Sequence, residues 1–241
     1  MNIHVLVNNP GQLKAALSCD AVSEIYAEAD VFDKTVIEKC HNAGKKCMLA
    51  LPYILRGENA PEADDYDGVL ARSADELALY SERYMISDYG LYAMNQKAAE
   101  FLREHGADRI TAPVELNEHE LYDLNITDKE IIVYGYIPMM VTAQCIKKNT
   151  GSCEGKRGLT YITDRKGNRL PVENKCSYCY NLIYNPVPLS LFGIMDKVIK
   201  LKPDSIRINF TVEDEPEAGR ILTEMKDPDT YTRGHFTRGV E

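Results

Sequence analysis

Long apolar runs are missing from this 241-residue sequence. No stretch approaches the ~18–20 consecutive apolar residues of a membrane span, so no membrane partner is expected. The opening MNIHVLVNNPG lacks a charged segment followed by an apolar core; no secretory signal is read, and a cytoplasmic setting is expected. Seven cysteines are an odd number, which in such a chain argues against a disulfide framework. Several signatures of chemistry are also lacking. No glycine-rich phosphate loop follows the first apolar run, which weakens a dinucleotide-binding reading. Glu118-His119-Glu120 has no second histidine of an H-E-x-x-H zinc-protease motif, and no G-x-S-x-G elbow occurs. Positive charge is in deficit, with 28 Lys/Arg against 37 Asp/Glu and a net charge of −9. Taken alone, that argues against a general nucleic-acid or anionic-membrane binder.

What is present is a rhythm. Short apolar runs begin at Ile3, Glu24, Cys47, Gly68, Tyr84, Arg109, Ile131 and Ser205, several rich in β-branched residues or tyrosine. These are strand signals. Helical spacing lies between them at Leu13-Ala16-Leu17, Phe32-Val36-Ile37-Cys40, Ala98-Phe101-Leu102, Ile194-Val198-Leu201 and Ala218-Ile221-Leu222-Met225. The acidic stretch ENAPEADDYD is expected to be a loop. Eight strands alternating with mostly helical segments predict an α/β fold, a (β/α)8 TIM-like barrel formed as one domain over 1–241. An open doubly wound sheet is the alternative. One spacing breaks the rhythm: the gap between the seventh and eighth strands is about three times the others. It is read as a cysteine-rich hairpin insertion, 139–188, over the C-terminal face where barrel active sites lie.

The insertion carries Cys145, Cys153, Cys176 and Cys179, the last two as C-x-x-C. Between the pairs, Leu159–Thr163 and Arg169–Val172 alternate around Arg165-Lys166-Gly167-Asn168, a hairpin signature that would bring Cys153 and Cys176 together. From Cys145 to Cys179 there are eight Lys/Arg and three Asp/Glu, a local +5 that leaves −14 elsewhere. Four thiolates on zinc or on a four-iron cluster carry about −2, which Lys147, Lys148, Lys156 and Lys175 would offset. A metal centre on the four cysteines is the expectation, with a [4Fe-4S] cluster and structural zinc both open; a solvated basic loop is the bland alternative. Cys19, Cys40 and Cys47 read as small core residues.

The segments YGYIPMMVTAQC, DRKGNRLPV, CSYCYNLIYNPVPL, SIRINFTVE and TRGHFTRGVE, with LALPYI, DGVLARS and DYGLYAMNQKAAEFL upstream, resemble the collagenase-like peptidases, the unclassified-mechanism peptidase family 32. The resemblance covers nearly the whole chain and lies with the C-terminal portion of long bacterial members. It implies a barrel and a peptidase label. It also implies, from relatives that hydroxylate RNA bases or ubiquinone precursors without oxygen, a four-iron cluster on four cysteines. Cys145, Cys153 and Cys176 match the pattern. Cys179 departs from it, because many relatives place the fourth cysteine further along, and this leaves room for zinc. An additional N-terminal region of long members is expected as a partner.

Strand ends offer Arg72, Asp88, Glu115, Tyr134, Arg207, Asn209 and Glu213. Of these, Glu115, Arg207, Tyr134 and Arg72 are the candidate catalytic residues, with Glu115 and Arg207 foremost; the alternative is a satisfied salt-bridge network. His235 is read as packing or pairing. Three functions stay open: a cluster-dependent enzyme acting on RNA or an anionic small molecule attracted by the basic loop 145–179, a peptidase, or a zinc-stapled accessory domain.

Overall fold

The computed structural model describes residues 1–55 and 60–239. Arg56–Asn59, where the expected acidic loop begins, lie outside the described residues; 60–67 form no helix or strand. Eight strands are parallel: β1 (Asn2–Val7), β2 (Val22–Glu28), β3 (Lys46–Ala50), β4 (Gly68–Ala71), β5 (Met85–Ser87), β6 (Arg109–Thr111), β7 (Lys129–Gly135) and, after the insertion, β13 (Ser205–Asn209). Each pairs with its neighbour, and the β6–β7 and β13–β1 pairings close the ring, so the chain is a (β/α)8 TIM-like barrel. All eight runs read from the sequence form strands. The run at Arg109 stops after three residues, because Pro113 follows and cannot donate to a ladder. Among the described residues no helix is long and apolar enough to cross a membrane.

Helices α1 (Pro10–Leu17), α2 (Thr35–Asn42), α3 (Ala74–Leu79), α4 (Gln96–Glu104), α5 (Glu118–Asp123), α7 (Met195–Lys200) and α8 (Glu215–Glu224) follow barrel strands or, for α7, precede β13. Their starts are set by local chemistry: Asn9, Asn95, Asn117 and Asp214 each accept a backbone N–H of the first turn. One face differs from the expected one. In α4 the core side is Ala99 and Leu102, while Phe101 is exposed and stacks on His105, ring centroids 4.0 Å apart.

Between β7 and β13 the chain builds a second, antiparallel sheet. Its strands are β8 (Pro138–Thr142), β9 (Gly158–Thr163), β10 (Arg169–Lys175) and β11 (Tyr180–Tyr184), in the order β8-β11-β10-β9, with a one-turn helix α6 (Ile146–Asn149) after β8. A two-residue strand, β12 (Leu189–Ser190), then returns to pair antiparallel with β7. The β9–β10 hairpin turns at Asp164–Asn168, as its alternation predicts; the Asp164 carboxylate accepts from Lys166 N and Asn168 N at 2.8 Å each. The chain leaves the barrel through Gly135 at φ 145°, where a Cβ would meet Asn209 O at 2.5 Å. No other residue fits that exit.

The core has two parts. The shell between strands and helices is aliphatic and aromatic, from Val5 and Ile25 through Leu102 and Ile206 to Phe210 and Leu222. Inside the barrel, Leu6, Tyr26, Met48, Ala50, Leu70 and Ile86 form a smaller apolar cluster on β1–β5. The rest of the interior is charged.

Candidate functional site at the barrel mouth and its lid

Glu24, Tyr26, Glu28 and, just past the strand, Asp30 alternate with Ile25, Ala27 and Ala29, and strand geometry sends alternate residues to one face. On β2 that face is the barrel interior. Low in the barrel, Arg109 donates to Glu24 at 2.5 and 3.1 Å. Midway, Tyr26 Oη donates to Glu130 Oε1 at 2.7 Å, His4 lies 3.6 Å from Glu130, and Arg207 Nε is 3.6 Å from the same carboxylate. Arg207 also pairs with Asp88, which in turn accepts from Arg72 Nε at 3.2 Å. Arg72 donates to Glu28 at 2.7 and 3.2 Å and to Leu51 O at 2.7 Å, and its guanidinium lies 4.3 Å from the Tyr53 ring centroid. Burial pushes the Glu28 carboxyl upward, but the charges of Arg72 and Lys175 outweigh it and hold it down at about 2. Glu130 is likewise lowered to about 2, with Arg207 and then His4 outweighing burial.

The second sheet sits as a lid on this column. Lys175, counted in the sequence among the cations near the thiols, points the other way: its Nζ is sealed in the mouth. It lies 3.1 Å from Asn8 Oδ1 and from Asp30 Oδ1, and 3.3 Å from Glu28 Oε2 and from Glu173 Oε1. Arg157 pairs with Glu173 and donates to Asn8 O at 2.8 Å. Tyr184 Oη donates to Glu173 Oε2 at 2.7 Å. Above the charges, Tyr178, Tyr180, Leu182 and Tyr184 pack on Tyr53, Ile54, Leu55 and Tyr136. Two of the eight cations behind the local +5, Lys175 and Arg157, are therefore spent on carboxylates of the mouth and lid; of the six that remain, Lys147, Lys148 and Lys156 lie in the cysteine loop and Arg165, Lys166 and Arg169 at the hairpin turn.

All four insertion cysteines lie at one end of the lid sheet. The register makes this so: Thr142 at the end of β8 faces Asn181, Gly158 at the start of β9 faces Asn174, and Lys175 faces Tyr180. Cys176 and Cys179 bound the turn between β10 and β11, where Cys179 N donates to Cys176 O at 3.3 Å and Cys179 takes a left-handed φ of 55°. Cys145 is buried and N-terminal to α6; its Sγ accepts from Asn181 Nδ2 at 3.8 Å and Asn174 Nδ2 at 3.9 Å. Cys153 is exposed. Burial and the neighbouring thiols of Cys145, Cys153 and Cys179 push the Cys176 thiol up, with Lys147 opposing. The donor set suits a thiolate-bound metal in number, chemistry and topology. Among the described residues, however, no group of three or more His, Cys, Asp or Glu side chains is already arranged to hold an ion. Of the three upstream cysteines, Cys40 and Cys47 are buried core residues and Cys19 is half-buried.

The other sequence candidates fall in three places. Arg72 and Arg207 meet through Asp88, wholly enclosed, and neither guanidinium faces open space. Tyr134 turns to the barrel's outer shell, stacking on Phe192 at 5.6 Å and donating to Glu213 Oε1 at 2.9 Å. Burial pushes Glu213 up to about 7. Glu115 lies apart from these, beyond β6, in a 220 Å³ cavity with His235, Asn185 and Thr232 among Val114, Ile137, Met139 and Leu189. Burial raises its carboxyl, with His235 opposing, and its Oε2 has no hydrogen-bond partner among the described residues. His235 Nδ1 is 2.8 Å from Gly239 O, which makes it the donor there. Sequence reasoning missed Asn8, Glu28, Asp30, Arg157 and Glu173. For Glu28, Asp30 and Glu173 the signal was available in the period-two polar positions of SEIYAEAD and PVENK; Asn8 and Arg157 carried none.

The chain is similar to the solved structure of the U32 peptidase Mk0906, with a TM-score of 0.55 and 10% identity over 89% of this chain and 94% of that one. Weaker likenesses join it to an uncharacterized B. cereus protein (TM-score 0.45, 9% identity, 92% of this chain and 64% of that one) and to the spore cortex-lytic enzyme SleL of Bacillus megaterium QM B1551 (0.44, 9%, 92% and 73%). No protein-family model and no curated protein matches the sequence. At these identities the likeness is one of fold, and on that ground the chain shares the barrel of a U32 peptidase.

Proposed function

We propose that this chain is a barrel domain of the U32 peptidase type whose lid binds a metal centre through Cys145, Cys153, Cys176 and Cys179 beside the C-terminal mouth. The observation that carries the reading is the gathering of four thiols at the one end of the lid where β8, β9, β10 and β11 begin or finish. A four-iron cluster there would supply electron transfer for modifying an RNA base or a small aromatic molecule, whereas zinc closed by four thiolates would only staple the lid. Lys147, Lys148 and Lys156 offset the thiolate charge and draw an anionic substrate. Asn174 and Asn181 hold the Cys145 sulfur, and the Lys175 cage fixes the lid over the mouth. Anaerobic purification with metal and sulfide analysis tests the reading. Brown protein with four irons, lost on Cys176→Ser, supports the enzyme; one zinc and no colour assigns the accessory role. Folded, metal-free protein with all four thiols open to modification after metal reconstitution overturns the metal centre.

A second reading, peptide hydrolysis, is favoured by the Glu115 cavity. A carboxyl raised by burial and an imidazole that line one partly apolar pocket can work as an acid–base pair. Peptide cleavage by purified chain, abolished in Glu115→Gln, would support it. Equal cleavage by the variant would assign the activity to a contaminant.

A further inference from the structure

The edges of the lid sheet are unequal. β9 at one edge is guarded: Arg169 covers the Tyr161 ring at 4.1 Å, and Arg157 binds Glu173 at its foot. β8 at the other edge is guarded only at its start, by Pro138 and the register shift opposite Ile183 and Tyr184. It pairs only with β11 among the described residues, so one row of its backbone N–H and C=O groups is unpaired. Pro138–Thr142 contains no charge, and Met139, Met140 and Val141 are 59, 55 and 38% exposed. Sheet edges of soluble proteins are ordinarily blunted by lysine, bulges or cover, and a bare apolar edge is a template for another strand.

The two ends of this edge have opposite character. At the start, Ile137 and Met139 line the 220 Å³ cavity of Glu115, whose buried Oε2 lacks a donor. At the finish, Lys147 and Lys148 follow within one turn of helix. The cavity has room for one side chain rather than a whole small-molecule ligand. Five strand residues span ~17 Å, the length of a short peptide.

We infer that β8 captures an extended peptide by strand addition. The peptide's free amino terminus and an apolar first side chain enter the Glu115 cavity, and acidic residues beyond reach Lys147 and Lys148. Three features each supply part of the recognition. Backbone pairing gives affinity without sequence, the methionines adapt to alternate apolar side chains, and the charges at the two ends fix direction, parallel to β8. An ammonium donating to Glu115 answers its unpartnered carboxylate, in a pocket that also presents Asn185, Thr232 and His235 among its apolar side chains. The site stands whether or not the lid holds a metal.

The test is fluorescence anisotropy on the full chain. The probe is a peptide with a free amino terminus, leucine first, then alternating valine and threonine, two glutamates and a carboxy-terminal fluorescein. Saturable binding is expected. Acetylating the terminus, or Glu115→Gln, should weaken it roughly tenfold, the scale of one net hydrogen bond to a charge. N-methylating alternate residues of one parity should cost a similar factor while the other parity costs little, because only every second amide faces β8. Met140→Lys should also weaken binding, and an unchanged thermal midpoint shows that the fold survives. No saturable binding overturns the inference, as does binding indifferent to N-methylation and to Glu115→Gln. A dimer in sedimentation that Met140→Lys dissolves, with no peptide bound, would assign the edge to a second copy and overturn it equally. Metal content of the same preparations separates this outcome from failure of the metal-centre reading.

Discussion

Inside the barrel, Arg72 and Arg207 share Asp88 and are enclosed by strands on every side. Under the lid, Lys175 and Arg157 share Glu173 with Glu28, Asp30 and Asn8 across a seam between two sheets. Both sites bury charge in matched sets, yet they stand differently to the rest of the fold. The barrel column cannot open without breaking the ring. The seam joins a tyrosine-rich cluster to the strand ends, and the lid's tether passes through Gly135, so the seam can loosen while the barrel persists. The comparison teaches where stability is shared and where it is local.

The largest effect should come from Asp88→Ala. It removes the carboxylate that two buried guanidiniums share, leaving Arg72 to Glu28 and Arg207 to Glu130, and removing one partner of a buried ion set costs about 4 kcal/mol. Urea unfolding should show that loss in a single transition, with barrel and lid probes coincident. Lys175→Met comes next. It leaves Glu28, Asp30 and Glu173 facing one another, at a cost of about 3 kcal/mol. Here the loss should be confined: hydrogen exchange should speed in β10 and β11 while the slowest barrel amides hardly change. Uniform acceleration across both sheets would show that lid and barrel unfold together, and the distinction between them would fail.

Proton linkage sharpens the contrast, because the two kinds of carboxylate titrate in opposite senses. Glu28 and Glu130 are lowered from 4.5 to about 2, so their stabilisation is complete above pH ~4.5 and is lost as pH falls toward ~2. Glu76 and Glu213 are raised from 4.5 to about 7 by burial, so the folded chain binds their protons more tightly. Their contribution is complete below pH ~4.5 and is lost as pH rises through ~7. Stability should therefore peak in mildly acidic solution. Glu213→Gln should flatten the neutral limb, recovering about 2 kcal/mol between pH ~5 and ~8 in urea midpoints. A limb unchanged by that substitution would place the titration elsewhere.

Much of the fold was legible because strand period and spacing are local properties. The eight runs, the outsized gap before Ser205 and the hairpin around Asp164–Asn168 follow from alternation and turn residues alone. The site was legible less evenly. Cys145, Cys153, Cys176 and Cys179 could be grouped because a hairpin joins their ends, and Glu115 could be placed at a strand end. Lys175 could not be separated from Lys147 and Lys148, since which face of β10 meets the barrel is decided by packing between distant segments. Arg207 could not be assigned between a catalytic role and a salt-bridge network for the same reason. Its partners Asp88 and Glu130 lie 119 and 77 residues away in sequence, and only closure of the ring brings them together.

The smallest expected effect tests the comparison most finely, because two tyrosine–glutamate hydrogen bonds of similar length sit in the two regions. Tyr184 donates to Glu173 at 2.7 Å in the seam; Tyr134 donates to Glu213 at 2.9 Å in the barrel wall. Glu173 is held below the usual carboxylate range because Lys175 and Arg157 outweigh burial, so it stays ionised at neutral pH, and Asn8 Nδ2 also donates to its Oε2 at 3.0 Å. Tyr184→Phe should therefore cost about 1 kcal/mol, nearly constant from pH ~5 to ~8. Glu213 changes charge within that range, and besides Tyr134 its carboxylate accepts from the Thr211 backbone N–H at 2.7 Å. Tyr134→Phe should cost a similar amount at pH ~5 and more at pH ~8, where the buried carboxylate ionises without its phenol donor. Urea titrations of both variants at the two pH values decide the point. Parallel pH profiles would mean that the barrel wall and the seam hold their carboxylates in the same protonation state.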